Sequence, residues 1–308
     1  MAVSTSIMLG ASVSAGDALP YTFPAYEVEV ETDVVYCSAE GYWTEGPDRM
    51  SLRAQRWYKL AGRPHELSLK MDIYKPAGDG ASSRPLLLMM HGGSYAIGSK
   101  SEKGQTEWCR YFASLGYVAA SIDYRLGFRP SAGGLLQAEA DATDDARAAL
   151  AYLLGREDLR ADSGRVFAAG TSAGGTIALG LAYGTSCHIL AAGNLWGYVR
   201  NLSVLENARV PIVSFQSVRD PVVPYGEGLL LGLKMAGTAY GTKAVHDRAT
   251  ELGIPCEHVP CPEKHHRLHL DGAGVLTPRF YEIRDTLAAF FAGVMAGDEK
   301  SLTGAEPR

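Results

Sequence analysis

At 308 residues, 46% of them hydrophobic and 20% charged, the chain is long enough for one large α/β domain or two small ones. A formal net charge of −5 with no basic run excludes nucleic acid as the main partner. No apolar stretch reaches the length of a bilayer span, and five cysteines, an odd number, do not describe a disulfide framework.

Residues 1–19 fit either a degenerate export signal or a flexible N-terminus. Ile7 to Gly16 ends in small residues, but no Lys or Arg precedes its short apolar part. Both an exported (periplasmic or secreted) and a cytoplasmic location are therefore compatible with the sequence. From Tyr26 to Tyr36 and from Leu67 to Tyr74 apolar and polar residues alternate, which predicts strands with one solvated face. Lys75-Pro76 breaks the pattern, and Gly78 to Ser83 reads as a loop. Pro85 to Met90 is a continuous apolar run, the mark of a strand buried on both faces, and it ends in His91-Gly92-Gly93-Ser94-Tyr95.

A helix from Glu107 to Leu115 and a buried strand from Tyr117 to Ile122 follow, closed by Asp123-Tyr124-Arg125-Leu126. Gln137 to Leu154 places alanine and leucine at helical spacing, and Asp141, Asp144 and Asp145 read as its solvated, dipole-favoured N-terminal part. Further strands are expected at Val166–Ala169, from Ile189, at Val210–Gln216 and at Glu257–Cys261. Helices are expected at Thr176–Tyr183, Thr242–Leu252 and Phe280–Met295. Alternating buried strands and helices give a mostly parallel sheet covered on both faces, with an antiparallel N-terminal edge, and residues 20–308 read as one domain.

Within this order, Val166-Phe-Ala-Ala-Gly170-Thr-Ser172-Ala-Gly174 is a strand running through Gly-x-Ser-x-Gly into a helix, the nucleophile elbow. The serine sits at the apex in a strained conformation, so the residues two before and two after it must be small. A serine hydroxyl needs a base, and the base needs an orienting acid. The acid candidate is Asp220, in the turn after the second strand beyond the elbow. The base comes from His265, His266 or His269. Loop length favours His266, with His265 as the alternative. Tetrahedral acyl chemistry also needs backbone donors for an oxyanion, and Gly93, Ser94 and Ala173 are placed to supply them. Cys256, His258, Cys261, His265 and His269 include zinc-type ligands, but their spacing matches no metal-binding unit, so no metal is expected.

Four segments together, His91 to Tyr95, Asp123 to Leu126, Gly170 to Gly174 and Asp220 to Pro224, resemble the α/β-hydrolase superfamily over residues 65 to 295. The likeness is to the carboxylesterase/lipase group related to hormone-sensitive lipase. The resemblance implies an α/β-hydrolase fold, a nucleophile, acid and base at Ser172, Asp220 and His266, and no cofactor. It departs in two places: Ser94 stands where a third glycine is usual, and Lys264-His265 where a glycine usually precedes the histidine. Little chain lies between the strands at Ile189 and Val210, so little or no helical cap is expected. The N-terminal segment or the Tyr225–Tyr240 loop is a candidate roof, and Trp43, Trp57 and Trp196 are candidate pocket walls or buried packing. The implied activity is hydrolysis of short to medium acyl esters, small-molecule substrates, through an acyl-enzyme. Alternatives are a carbohydrate-ester (acetyl or feruloyl) esterase, a peptidase of the prolyl-oligopeptidase type, and a non-catalytic binding module on the same fold.

Overall fold

A computed structural model describes residues 20–44, 63–129, 131–184 and 187–297. The 1–19 segment and Trp57 lie outside these residues. The chain builds an eight-stranded sheet. Its strands in sequence are β1 (Val28–Gly41), β2 (His65–Pro76), β3 (Arg84–Met90), β4 (Val118–Ile122), β5 (Ala161–Thr171), β6 (Ala191–Leu195) and β7 (Ile212–Ser217), with the last, Cys256–Cys261, named below. A separate two-strand ribbon, β8 (Glu227–Leu229) with β9 (Thr238–Tyr240), intervenes before β10 (Cys256–Cys261). The sheet order is β1-β2-β4-β3-β5-β6-β7-β10. β1 and β2 pair antiparallel, as do β2 and β4, and every other pairing in the sheet is parallel.

Side-chain alternation decides which residues face which layer. Leu86, Leu88 and Met90 of β3 join Val166 and Ala168 of β5 in one core, while Leu87, Met89, Phe167 and Ala169 join the other. The first core is roofed by α2 (Ala132–Gly155) and α3 (Ala173–Gly184), with α4 (Thr242–Glu251) beside them. The second is covered by α1 (Lys103–Ser114) and α5 (Pro278–Ala296). Both faces of the central strands are therefore dry, which is why β3 reads as an unbroken apolar run from Pro85 to Met90, while β4 and β7 also bury Ser121, Ser214, Gln216 and Ser217.

The structure corrects the reading of Asp141, Asp144 and Asp145. α2 begins at Ala132, where Ser131 accepts a hydrogen bond from Gly134 N at 3.0 Å, so the three acids sit in mid-helix rather than at its N-terminus. Asp145 is also buried, 2% exposed, and receives Arg125 N at 2.8 Å and Arg125 Nε at 2.9 Å. The paired glycines after Ala132 are poor helix formers and hid the first turn, and the serine cap overrides them. β7 and β10 fall within two residues of their expected bounds, and the chain between β6 and β7 holds a 3₁₀ turn, Leu202–Asn207, with no inserted helical layer.

The second core depends on packed aromatic rings. Phe291 is fully buried, its ring centroid 4.6 Å from Phe167 and 5.9 Å from Phe112. Phe291→Ala is expected to cost about 3–5 kcal/mol in urea denaturation, because α5 cannot collapse into the space without losing its other contacts.

Candidate active site

Ser172 stands between the end of β5 and the start of α3 with φ +53°, in the left-handed region. The flanking glycines are required by close approach. A Cβ at Gly174 would lie 2.0 Å from Met90 O, and one at Gly170 2.5 Å from Gly174 C. Ser172 N donates to Leu195 O at 2.8 Å, and Thr176 N donates to Ser172 O at 3.1 Å, so the turn is fixed to β6 and to its own helix.

Two loops bring the other functional groups to this hydroxyl. Asp220 lies in the turn after β7, where its Oδ1 accepts Val222 N at 2.8 Å and Val223 N at 3.1 Å, and its side chain is fully shielded from solvent. His266 lies in the loop between β10 and α5. Its Nδ1 is 2.8 Å from Asp220 Oδ2 and 3.0 Å from Oδ1, and its Nε2 is 2.8 Å from Ser172 Oγ. With Asp220 ionised, Nδ1 carries the proton and donates to it. Nε2 is then left free to accept from the serine hydroxyl. The three side chains come from residues 48 and 46 apart in sequence (172 to 220, 220 to 266) and meet in one hydrogen-bonded line.

His265 is exposed. His269 is 1% exposed, stacked between Trp108 and Trp196 at centroid distances of 5.2 and 5.3 Å. His258 is held by Thr242 Oγ1 at 3.0 Å and stacks on Tyr225 and His246, where burial pushes its imidazole down to about 4. The zinc-type residues are thus dispersed. Among the described residues, no three or more His, Cys, Asp or Glu side chains are grouped to hold a metal.

The loop after β3 runs beside Ser172. A Cβ at Gly92 would lie 3.2 Å from Ser172 Cβ, and Gly93, Ser94 and Tyr95 all take positive φ, at +118°, +53° and +59°. Ala96 N and Ile97 N both close onto Gly93 O, at 3.0 and 3.1 Å. Ala173 is the first residue of α3, one of the helix-start N–H groups without an intrahelical acceptor. The chain thus passes Ser172 on two sides, with Gly92 against its Cβ and Ala173 next to it at the start of α3.

The sequence did not disclose what holds this loop. Tyr124 OH donates to His91 O at 2.8 Å and its ring stacks on His91 at 4.3 Å. Burial pushes the His91 imidazole down, although its contact with Gly92 O, at 2.6 Å, acts the other way, so His91 is a neutral prop. Tyr95 is 1% exposed and its hydroxyl is 3.4 Å from Ala173 O. Trp43 and Trp196 are both buried, and Trp43 Nε1 donates to Ala96 O at 3.0 Å, so these tryptophans pack and brace rather than line an open pocket. The Tyr225–Tyr240 segment is not a plain loop but the β8–β9 ribbon, with Leu229, Leu233 and Met235 exposed. A depression of about 800 Å³ lies between the His266 loop and the start of α5. His266 forms part of its wall, together with His265, Arg267, Leu268 and Thr277.

Comparison with known proteins agrees with this architecture. The BD-FAE family model matches residues 71–195, from β2 through the elbow to β6. The Penicillium brasilianum non-reducing polyketide synthase prhL is 37% identical over 129 residues, 40% of this chain and 5% of that protein. Gut esterase 1 of Caenorhabditis elegans is 42% identical over 60 residues, 20% of this chain and 10% of that one. The chain thus spans about a twentieth to a tenth of the length of these two relatives. Among solved structures, Thermogutta terrifontis esterase 2 phosphorylated by paraoxon superimposes with TM-score 0.58 at 21% identity, covering 91% of this chain and 96% of that one. Its propionate-bound form gives TM-score 0.55 at 21% identity, covering 78% and 93%. The chain has the α/β-hydrolase fold.

Tyr124→Phe removes the only difference between two rings of equal shape, the hydroxyl that satisfies His91 O. Thermal or urea denaturation should show a loss of about 1–2 kcal/mol, the cost of a buried carbonyl left without its donor.

Proposed function

We propose that this protein is a serine carboxylic-ester hydrolase that acts on short to medium acyl esters through an acyl-enzyme. The observation that carries the reading is the continuous line from Ser172 Oγ through His266 to the buried Asp220, with both hydrogen bonds at 2.8 Å. A binding module on this fold has no use for a hydroxyl aligned on an imidazole whose far nitrogen is held by a shielded carboxylate.

Chemistry follows from that alignment. Ser172 Oγ attacks the ester carbonyl carbon while His266 Nε2 takes the hydroxyl proton, and the carbonyl π electrons move onto oxygen. The oxyanion settles against the N–H groups of Gly93, Ser94 and Ala173, each worth about 3 kcal/mol where a donor is well aimed. Collapse of the tetrahedral species breaks the bond to the alcohol, which leaves with the proton from His266. Water then repeats the cycle, giving the acid and restoring the serine. Asp220 stays ionised throughout and stabilises the imidazolium.

The substrate range rests on two supports. No helical layer is inserted between β6 and β7, so no such cap covers the serine. The Thermogutta esterase that shares the fold has been solved with propionate and with butyrate, both short acyl groups.

Release of nitrophenol from p-nitrophenyl acetate and butyrate tests the proposal. Ser172→Ala and His266→Ala should each lower kcat by about 10³-fold or more, and Asp220→Asn by a similar order, since the three act as a unit. His265→Ala should stay within about threefold of the parent, since its side chain is exposed and His266 makes the hydrogen bonds to Asp220 and Ser172. Parent-like turnover by Ser172→Ala would remove the enzyme reading.

A further inference from the structure

We infer that Glu102 is a positioning residue, a brace between the loop that carries His266 and the segment that carries the oxyanion donors. The inference rests on the serine-hydrolase reading of the site and adds a residue to it.

Glu102 immediately precedes α1, eight positions after Ser94 (94 to 102). A short polar side chain there, Ser, Thr, Asp or Asn, ordinarily turns back to cap its own helix. Glu102 makes no such cap bond. Its Oε1 instead receives Arg267 Nη2 at 2.7 Å and His269 Nε2 at 3.3 Å. These are the residues one and three positions after His266, so one carboxylate holds the base loop at two points.

The near side of that loop is fixed differently. Val218 N donates to Cys261 O at 2.9 Å, Arg219 Nη2 donates to Pro262 O at 2.7 Å, and Ser217 Oγ donates to Glu263 O. All three donors flank Asp220, so the acid and the first half of the base loop move as one piece. The far half has Thr277 Oγ1 donating to Leu268 O at 2.6 Å and Thr277 N donating to His269 O at 3.1 Å, both from the start of α5. Among these contacts, those of Glu102 are the ones that reach across to the β3–α1 side of the site.

Three features show that the contact is built rather than incidental. Gly104 admits the imidazole: a Cβ there would lie 2.4 Å from His269 Cδ2. Trp108 and Trp196 clamp the same ring from both faces. Burial acts to raise the Glu102 carboxyl, yet the hydrogen bond from His269, with the charges of His269 and Arg267, holds it down at about 2, so it is an anion at working pH. A charge kept in a largely dry place must be paired, and its partners are thereby fixed in space.

The consequence is geometric. His266 Nε2 must meet Ser172 Oγ while the donors after β3 meet the oxyanion, and misplacement by about 1 Å can cost up to 10²-fold in rate. Glu102→Gln keeps the shape of the side chain but loses the charge and presents an amide N–H to one of two donors. We expect kcat per active serine, counted by stoichiometric inactivation with paraoxon, to fall about tenfold or more on p-nitrophenyl butyrate, with KM within about twofold. Arg267→Ala should show a smaller fall, and the double variant no more than Glu102→Gln alone, because both act through one carboxylate.

A Glu102→Gln enzyme whose per-serine kcat is within twofold of the parent overturns the inference, whatever its melting temperature. Additive losses in the double variant overturn it as well. Should Glu102→Gln not yield folded protein, Arg267→Ala decides, since its side chain is 52% exposed and its loss leaves the core intact. An unchanged per-serine kcat there counts against the brace. Failure of the underlying reading looks different: Ser172→Ala would then keep its activity.

Discussion

Ser172 is held in a backbone conformation that a residue with a side chain seldom adopts, and the surrounding architecture keeps it there. A left-handed non-glycine residue costs on the order of 1–3 kcal/mol, so it persists only where its neighbours over-determine it. Here β5 delivers the chain from a strand buried on both faces, and Leu195 O accepts the serine N–H at 2.8 Å. α3 leaves at once, its first turn pressed so close to β3 that Gly174 has backbone at 2.0 Å where a Cβ would stand. The strain is what lifts the hydroxyl out of the sheet edge and into reach of His266.

Everything else at the site arrives by the same rule of topology. In an open parallel sheet, groups at the carboxyl ends of the strands share one edge. Gly93 and Ser94 follow β3, Ser172 follows β5, Asp220 follows β7 and His266 follows β10. β3, β5 and β7 differ in how much of the chain separates them, yet sheet order places β3 next to β5, with β6 and β7 beyond and β10 at the edge. The imidazole therefore reaches back across the sheet edge toward the serine, which is why its loop needs anchors on both sides. Those on one side come from the turn around Asp220, so that the turn carrying Asp220 and the start of the loop carrying His266 are tied to each other.

How much of this was written legibly in the chain varies with the kind of signal. The elbow was legible because its chemistry demands rare local features, two glycines about a serine between an apolar run and a helix. Asp220 and His266 were singled out by order, and the structure brings both to Ser172; among the three candidate histidines the distinction turned on loop length, which a sequence carries only as a count. His269 carried no mark of the aromatic clamp, since Trp108 and Trp196 lie 161 and 73 positions away (269 − 108, 269 − 196). Asp145 was misread for a physical reason. Its partner Arg125 is 20 residues distant, and helix position alone cannot tell a solvated acid from one that faces a buried guanidinium. Tyr124 and Arg125 stood in a motif that could be quoted but not explained until their hydroxyl and guanidinium were seen to fix His91 O and α2.

The buried charges behind the site belong to the same logic of placement. Lys100, whose side chain is 5% exposed, donates through Nζ to Asp72 Oδ1 at 2.8 Å, while its backbone N donates to Asp123 Oδ1 at 2.6 Å and its carbonyl accepts Ser121 Oγ at 2.8 Å. Such a cluster is poor evidence for stability, because desolvating two charges costs several kcal/mol that their attraction only just repays. Its effect is on geometry. One residue is pinned at three atoms to β2 and β4, the strands where the sheet passes from antiparallel to parallel pairing. That residue lies between the loop after β3, ending near Gly98, and the start of α1, where Glu102 stands. An apolar core at this place would be as stable but would leave the intervening segment free to slide along the sheet edge. Fixed charges remove that freedom on the connection that leads from the loop beside Ser172 to the start of α1.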